Sequence, residues 1–374
     1  MKTLYVHIGT TKTGTKAIQF FCWENRKLLE KQGYCYPDLS FLCPKCISIK
    51  NGHFLLEQPV NAGEKGAVQQ KTKEYQEGME RIHKLFSVYD NIVLSDEGIW
   101  RESYLSRKTL WRELKDAGEK YGFTVKIIVY LRRQDEFLQS LWNQHVKANK
   151  TTTSEQSWDD FVNAIPKSLQ LDYYKKLESI GGILGQENII VRRFEKGAFA
   201  GGSIYADFLK AIGLELTQEY HISKEERNIS LSGNAPEIMR VLNGVSDFKG
   251  EDLKFMRQIC HIISQDSTEK FSMFSLKECK KFLRQYRKSN RNVAEKYLDE
   301  PGTDLFDHTI VDLPKWTPDN PYMHQDMIRF SALGIISVRE RNKELRKKYR
   351  KLKREVEKMN QYLQTGKRDM EANL

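Results

Sequence analysis

Apolar residues fall into short bursts in the first half of the chain, with longer segments of helical periodicity between them. Leu4, Val6 and Ile8 begin the series, and after a run of Gly, Thr and Lys the apolar positions of Ala17-Ile18-Gln19-Phe20-Phe21 recur at helical spacing. That pattern predicts strand, loop, helix. Gly33 ends the helical region, and Tyr34-Cys35-Tyr36-Pro37 reads as a short strand closed by proline. Residues 38 to 64 mix polarity with chain breakers and predict an irregular segment containing His53, followed by a helix over 66–89. Ile92-Val93-Leu94-Ser95-Asp96-Glu97 predicts a buried strand that delivers two acids at its carboxyl end. A polar helix over 104–120 leads to Phe123–Leu131, whose near-continuous apolar character is that of a central parallel strand. Arg132 and Arg133 end it, and a helix follows from Glu136 to Lys147. A further strand is expected over 188–195, a helix over 205–212 stopped by Gly213, and helices over 234–245, 251–265 and 275–298.

Strands alternating with helices predict an α/β fold with a parallel sheet, in which ligands sit at the carboxyl ends of the strands. The first such junction, Gly9-Thr10-Thr11-Lys12-Thr13-Gly14-Thr15-Lys16, has the size and chemistry of a phosphate loop. Backbone N–H groups that open a helix lack internal partners, and the helix dipole adds positive charge to them. Gly9 and Gly14 let the backbone approach a ligand closely, and Lys12 brings a cation into the loop. A nucleotide-hydrolysing loop places Lys directly after its second Gly. Here Thr15 and Lys16 come in the reverse order, and a further Lys stands at position 12.

Charge refines this picture. The chain has 374 residues and a net charge of +11, but residues 339 to 358 hold eleven Lys or Arg against four Glu, so that short segment carries +7 and the rest only +4. A mildly basic body suits a small polyanionic cofactor or an acidic glycan better than a nucleic-acid track, and no nucleic-acid partner is expected. With 39% apolar and 11% aromatic residues the chain is not mainly disordered. The start of the chain runs straight into a strand, and no stretch of about 18 apolar residues occurs. A cytoplasmic location follows as the default expectation, with the inner membrane face as a peripheral alternative. Cys43-Pro-Lys-Cys46 with His53 has half of a zinc-site pattern, but no second CxxC exists, so free thiols and no metal are expected.

The order Lys12-Thr13-Gly14-Thr15 before a helix resembles the 5'-phosphosulfate loop of sulfotransferases that use 3'-phosphoadenosine-5'-phosphosulfate (PAPS). Tyr130-Leu131-Arg132-Arg133-Gln134-Asp135-Glu136-Phe137-Leu138-Gln139-Ser140 is similar to the same family's 3'-phosphate segment, in which an Arg at a strand end and a Ser eight residues later grip the cofactor. Arg offers a planar fork for phosphate oxygens, and Ser a hydroxyl from a helix start. The order of the later elements, with Asn228-Ile229-Ser230-Leu231-Ser232 and Ser289-Asn290-Arg291-Asn292, resembles the bacterial carbohydrate-type members over residues 1 to 310.

The resemblance implies a P-loop-like sulfotransferase fold over residues 1–313, with a central parallel sheet flanked by helices. It implies transfer of a sulfuryl group to a hydroxyl of a glycan, glycolipid or other small acceptor such as a sterol, leaving adenosine 3',5'-bisphosphate. The loop residues Thr11, Lys12, Thr13, Gly14, Thr15 and Lys16 would hold the 5' end, and Arg132 and Ser140 the 3'-phosphate. Lys12 matches the family's catalytic Lys, and Glu97 is the favoured base, with His7, His53 and Asp96 as further acceptor-side candidates. The chain departs from the cytosolic members in having Lys16 and Ala17 where they place Thr and an adenine-stacking aromatic. Its adenine contact must come from elsewhere.

Pro314, Pro318 and Pro321 mark a linker over 314–332 before a helix and tail over 333–374. Ile335, Asn342, Tyr349, Val356 and Leu363 recur every seven residues, with Val338, Leu345, Leu352 and Met359 between them, in an a/d heptad pattern. A parallel self-pair would set Arg341 against Arg346 and Lys348 against Lys353. Packing on the chain's own body, a homodimer, and an anionic membrane face or acidic partner all remain open. Two other functions compete with sulfuryl transfer. One is a P-loop kinase in which Ile92–Glu97 is a Walker-B-like strand able to hold magnesium. The other is a coiled-coil adaptor with a degenerate nucleotide fold.

Overall fold

The computed structural model describes residues 2–42, 49–56, 65–101, 104–148, 153–165, 169–223, 230–245, 250–267, 269–307 and 309–371. Strand β1 (Lys2–His7) is followed by helices α1 (Thr15–Glu24) and α2 (Arg26–Lys31) and by the short strand β2 (Tyr34–Cys35). Then come α3 (Lys65–Leu85), β3 (Asn91–Ser95), α4 (Gly98–Arg101), α5 (Tyr104–Tyr121) and β4 (Phe123–Leu131). Helices α6 (Gln134–Lys147), α7 (Trp158–Asn163) and α8 (Tyr173–Leu184) lead to β5 (Ile189–Arg193) and α9 (Ile204–Ala211). The remainder is helical: α10 (Ala235–Asn243), α11 (Gly250–Asp266), α12 (Leu276–Arg284), α13 (Arg287–Leu298) and α14 (Met323–Glu371).

The fold is α/β, with one parallel five-stranded sheet in the order β2-β3-β1-β4-β5. Alternation along the strands explains why it is covered on both faces. Leu4, Val6, Leu94, Ile127 and Val129 point into a core that Leu114, Leu177 and Val293 complete, while Tyr5, Val93, Ile128 and Tyr130 point the other way, into a core shared with Ile18, Phe21 and Phe208. β1 and β4 are hydrogen-bonded neighbours in the middle of the sheet, so the loops leaving their carboxyl ends emerge side by side.

The chain divides into two units. The first comprises residues 1–144, 158–230 and 273–313 and holds the sheet. The second comprises 145–157, 231–272 and 314–374. In it Asn234 acts as a hub, accepting from Trp316 Nε1 at 2.8 Å and donating to Asp326 Oδ2 at 2.9 Å. Of the Asn228–Ser232 segment, Asn228 and Ile229 lie outside the described residues, as do Cys43 and Cys46. Leu231 is buried in the second unit, where Ser232 Oγ donates to the Ser264 carbonyl at 2.9 Å.

Several element boundaries differ from those read from periodicity. The expected 66–89 helix ends at Leu85, and the helix after β1 breaks at Asn25, whose amide donates to the carbonyls of Phe21 and His221. The region 275–298 is two helices, because the chain turns at Gln285-Tyr286. That turn lets Phe282 stack on Phe274 while Val293 and Ala294 enter the sheet's core. The long helix begins at Met323, before the heptad stripe.

Candidate functional site

The phosphate-sized loop is held open by its own polar groups. Gly9 and Thr10 stay zipped to β4, with Thr10 N donating to the Tyr130 carbonyl at 2.9 Å, and the chain then departs from the sheet. The hydroxyls of Thr13 and Thr15 both donate to the Thr10 carbonyl, at 2.5 and 3.2 Å. Lys12 has a φ of 66°, an uncommon left-handed conformation for a side-chain-bearing residue, and Gly14 follows at 72°. A Cβ on Gly14 would lie 2.5 Å from Ile204 Cδ1 and carry a left-handed φ, so the position where α9 meets the loop favours glycine.

α1 then starts at Thr15 with no side chain capping it and no acid in its first turn. The amides of Thr15 and Lys16 precede the first helical bond, which Ala17 N makes to the Gly14 carbonyl at 2.9 Å, and such amides receive an anion. Thr11 Oγ1, on a residue only 9% exposed, has no hydrogen-bond partner among the described residues. Lys12 is half-buried and Lys16 exposed.

Arg132, at the end of the neighbouring strand, leans over this loop. Its Nη1 donates to the Lys12 carbonyl at 3.2 Å, its Nε donates to Glu136 at 3.2 Å, and its guanidinium lies 5.5 Å from the Phe194 ring. Its own carbonyl accepts from the Tyr173 hydroxyl at 2.7 Å, which fixes the strand end against the core. The adjacent Arg133 does a different job. It forks onto Asp135 and donates to the carbonyls of Asp307 and Thr309, fastening that segment beside the strand ends.

Arg132 and Arg133 border a cavity of about 960 Å³ lined also by Gly14, Ala17, Phe194, Phe199 and Ile204, with the 195–198 and 304–307 segments and Thr309. Its size is that of a ligand pocket. Phe194 and Phe199 meet edge-on at 5.6 Å and give it an aromatic wall that sequence reasoning did not identify. Burial raises the Glu195 carboxyl above its ordinary range, which weakens its opposition to an anion there. Ser140 sits one turn beyond Glu136 on α6, half-buried and outside the cavity wall. Asn290, in the late helical segment singled out above, exchanges side-chain hydrogen bonds with Gln134 at the start of α6, at 2.8 and 3.1 Å.

A second cluster forms where β3 ends. Asp96 is 1% exposed and uses both oxygens, one accepting from Gly98 N at 2.7 Å and the other paired with His53 Nδ1 at 2.8 Å. The His53 side chain remains 34% exposed. Glu97 is held by Lys50 at 2.7 Å and by Gln19 Nε2 at 3.2 Å, and its Cβ lies 3.1 Å from where a Gly9 Cβ would be. Asn51 ties this corner down by donating to the Val93 carbonyl at 2.9 Å and accepting from Ser95 N at 2.8 Å. It takes the place of a neighbouring strand beyond the two-residue β2.

His7 does not join the cluster at the surface. It is fully buried, its Nδ1 is 2.9 Å from Ser95 Oγ, and its ring packs edge-on to Tyr130 and Phe208. Burial, opposed only in part by Asp96, pushes its pKa down to about 3. The arrangement therefore supplies an anion-receptive loop, an arginine at its rim, and a carboxylate-oriented imidazole next to a lysine-paired glutamate.

No family model matches the chain. An uncharacterized protein of Archaeoglobus fulgidus is 31% identical over 176 residues, a match covering 46% of each chain, so the likeness spans about half the length of that relative. Among solved structures, a sulfotransferase from Alicyclobacillus acidocaldarius is similar with a TM-score of 0.36 and 15% identity, over 61% of this chain and 87% of that one.

Proposed function

We propose that the chain transfers the sulfuryl group of PAPS to a hydroxyl of a small-molecule or glycan acceptor. The observation that carries this reading is the hydrogen bond from Arg132 to the main-chain carbonyl of Lys12, which sets the strand-end arginine against the loop, beside a cavity large enough for a nucleotide. Two anion grips on adjacent strand ends suit one ligand with phosphates at both of its ends.

The residues present fit that ligand. Thr11 Oγ1 is a buried hydroxyl lacking a partner inside the loop, and the start of α1 is uncapped, as an anion-receiving corner requires. Thr11, Thr13, Gly14, Thr15 and Lys16 would surround the 5' end, Arg132 would take the 3'-phosphate with Ser140 nearby on α6, and the Phe194 and Phe199 wall would receive the base. PAPS supplies an activated sulfuryl group when bound. Lys12 places positive charge beside the loop, where a leaving phosphate oxygen gains charge.

Two residues compete for the role of base. Both carboxylate oxygens of Glu97 are already engaged, one by Lys50 and the other by Gln19. His53 donates from Nδ1 to the buried Asp96, so Nε2 is the atom that takes a proton from an acceptor hydroxyl. We assign the base to His53 and give Glu97 the holding of Lys50. Among the described residues no helix is long and apolar enough to cross a membrane.

The test is calorimetry with the purified chain, using adenosine 3',5'-bisphosphate and ATP, each with and without magnesium, followed by labelled PAPS with glycans, sterols and phenols. Binding of the bisphosphate without magnesium and label transfer to a hydroxyl are expected. Preference for magnesium-ATP would overturn the reading in favour of a kinase.

A further inference from the structure

α14 runs for 49 residues, which at the helical rise is roughly 70 Å. Its first turns are fastened within the second unit: Asp326 bonds Asn234, Arg329 bonds Asp266, and a Cβ on Gly334 would touch Ile259 Cδ1 at 3.7 Å. From Ile335 onward the apolar positions face solvent. Ile335 is 71% exposed, Leu345 54%, Tyr349 68% and Leu352 60%, although all fall at the a and d positions of one heptad frame. A helix bearing such a stripe gains little from propensity alone and is stabilised by covering it.

We propose that residues 335–359 form one strand of a parallel, two-stranded coiled coil with an acidic helix of another protein. Charge excludes a second copy of this chain as the preferred occupant. In a parallel self-pair Arg341 would face Arg346 and Lys348 would face Lys353. An antiparallel one would still bring together edges dominated by Arg341 and Lys348 on one side and Arg346 and Lys353 on the other. The Lys353 to Glu357 pair, at 4.0 Å with both side chains more than half exposed, does not neutralise that edge. A partner with Glu at the facing positions converts each repulsion into an attraction.

The width of the stripe argues for a helix over a bilayer. Interfacial helices bury a broad apolar face, whereas here the stripe is the narrow a/d seam. Asn342, at an a position, adds specificity, because a buried Asn selects a two-stranded partner carrying a polar residue in register. The proposal is independent of the sulfuryl-transfer reading, and its test requires no turnover.

The full chain is titrated with two synthetic peptides of about four heptads, the length of the stripe. Both carry Ile at a, Leu at d and Asn opposite Asn342; one has Glu at e and g, the other Lys. Sedimentation and circular dichroism are expected to show a one-to-one complex with the acidic peptide, at least about tenfold tighter than with the basic one. The fourfold variant R341E/R346E/K348E/K353E is expected to reverse that preference while the chain stays folded. Three results would overturn the proposal. They are equal affinity for both peptides, self-association of the chain through this helix that the acidic peptide does not displace, and capture by anionic phosphatidylglycerol vesicles that persists when the acidic peptide is in excess.

Discussion

Arg132 Nη1 donates to the main-chain oxygen of Lys12 at 3.2 Å, across 120 residues of sequence. The contact exists because β1 and β4 are parallel neighbours, so their carboxyl ends open on the same edge of the sheet. A strand-end arginine alone is a common surface feature. Locked onto the backbone of a left-handed loop residue, it becomes part of that loop's architecture.

Replacing Arg132 should separate binding from turnover. Arg132→Ala removes a charge-assisted contact, so the affinity for adenosine 3',5'-bisphosphate is expected to fall about tenfold to a hundredfold, with a smaller change in kcat at saturating donor. Lys12→Ala is expected to do the reverse, lowering kcat by about two to three orders of magnitude with little loss of bisphosphate affinity. Calorimetry and initial rates distinguish the two patterns.

The two candidates for the base differ in a measurable way. His53→Gln should lower kcat by about two to four orders of magnitude and abolish the loss of rate on acidification that a histidine base produces. Glu97→Gln should keep that pH dependence and instead lower the melting temperature by a few degrees, the effect of about 1 kcal/mol, because the ion pair to Lys50 in a partly exposed site is lost. The opposite outcome would return the role of base to Glu97.

His7 makes folding sensitive to acid. Its folded-state pKa is about 3, against an ordinary value of 6.5, so between these limits the unfolded chain binds a proton that the folded chain refuses. Stability therefore falls as pH drops through that window and is unaffected by this group above it. Urea unfolding at pH 6 and 4.5 should show the His7→Gln variant losing about 2 kcal/mol less than the unsubstituted chain.

What the sequence discloses and what it hides follow the range of the interactions involved. β4 was legible to the residue, Phe123–Leu131, because a strand buried on both faces must be apolar throughout. The loop was legible because its Gly and Lys are local requirements of backbone shape and charge. The Phe194 and Phe199 wall was not, since two aromatics flanking a turn look like any others until Arg132 and Gly14 are brought against Phe194. Nor was Lys50, whose role depends on Asn51 clamping an irregular segment to β3. The break at Gln285-Tyr286 carries no Pro or Gly and arises from tertiary demand on two different helix faces.

With its two proposed grips on touching strands, the sheet would act as a gauge. One inter-strand step, about 4.8 Å, plus the overhang of each loop sets the span between them. On the proposed reading, a nucleotide held at both ends would be measured against that rule before any atom of its middle is inspected. Lengthening the 9–14 turn would retune which dianions are admitted by length, with the chemistry of each grip untouched.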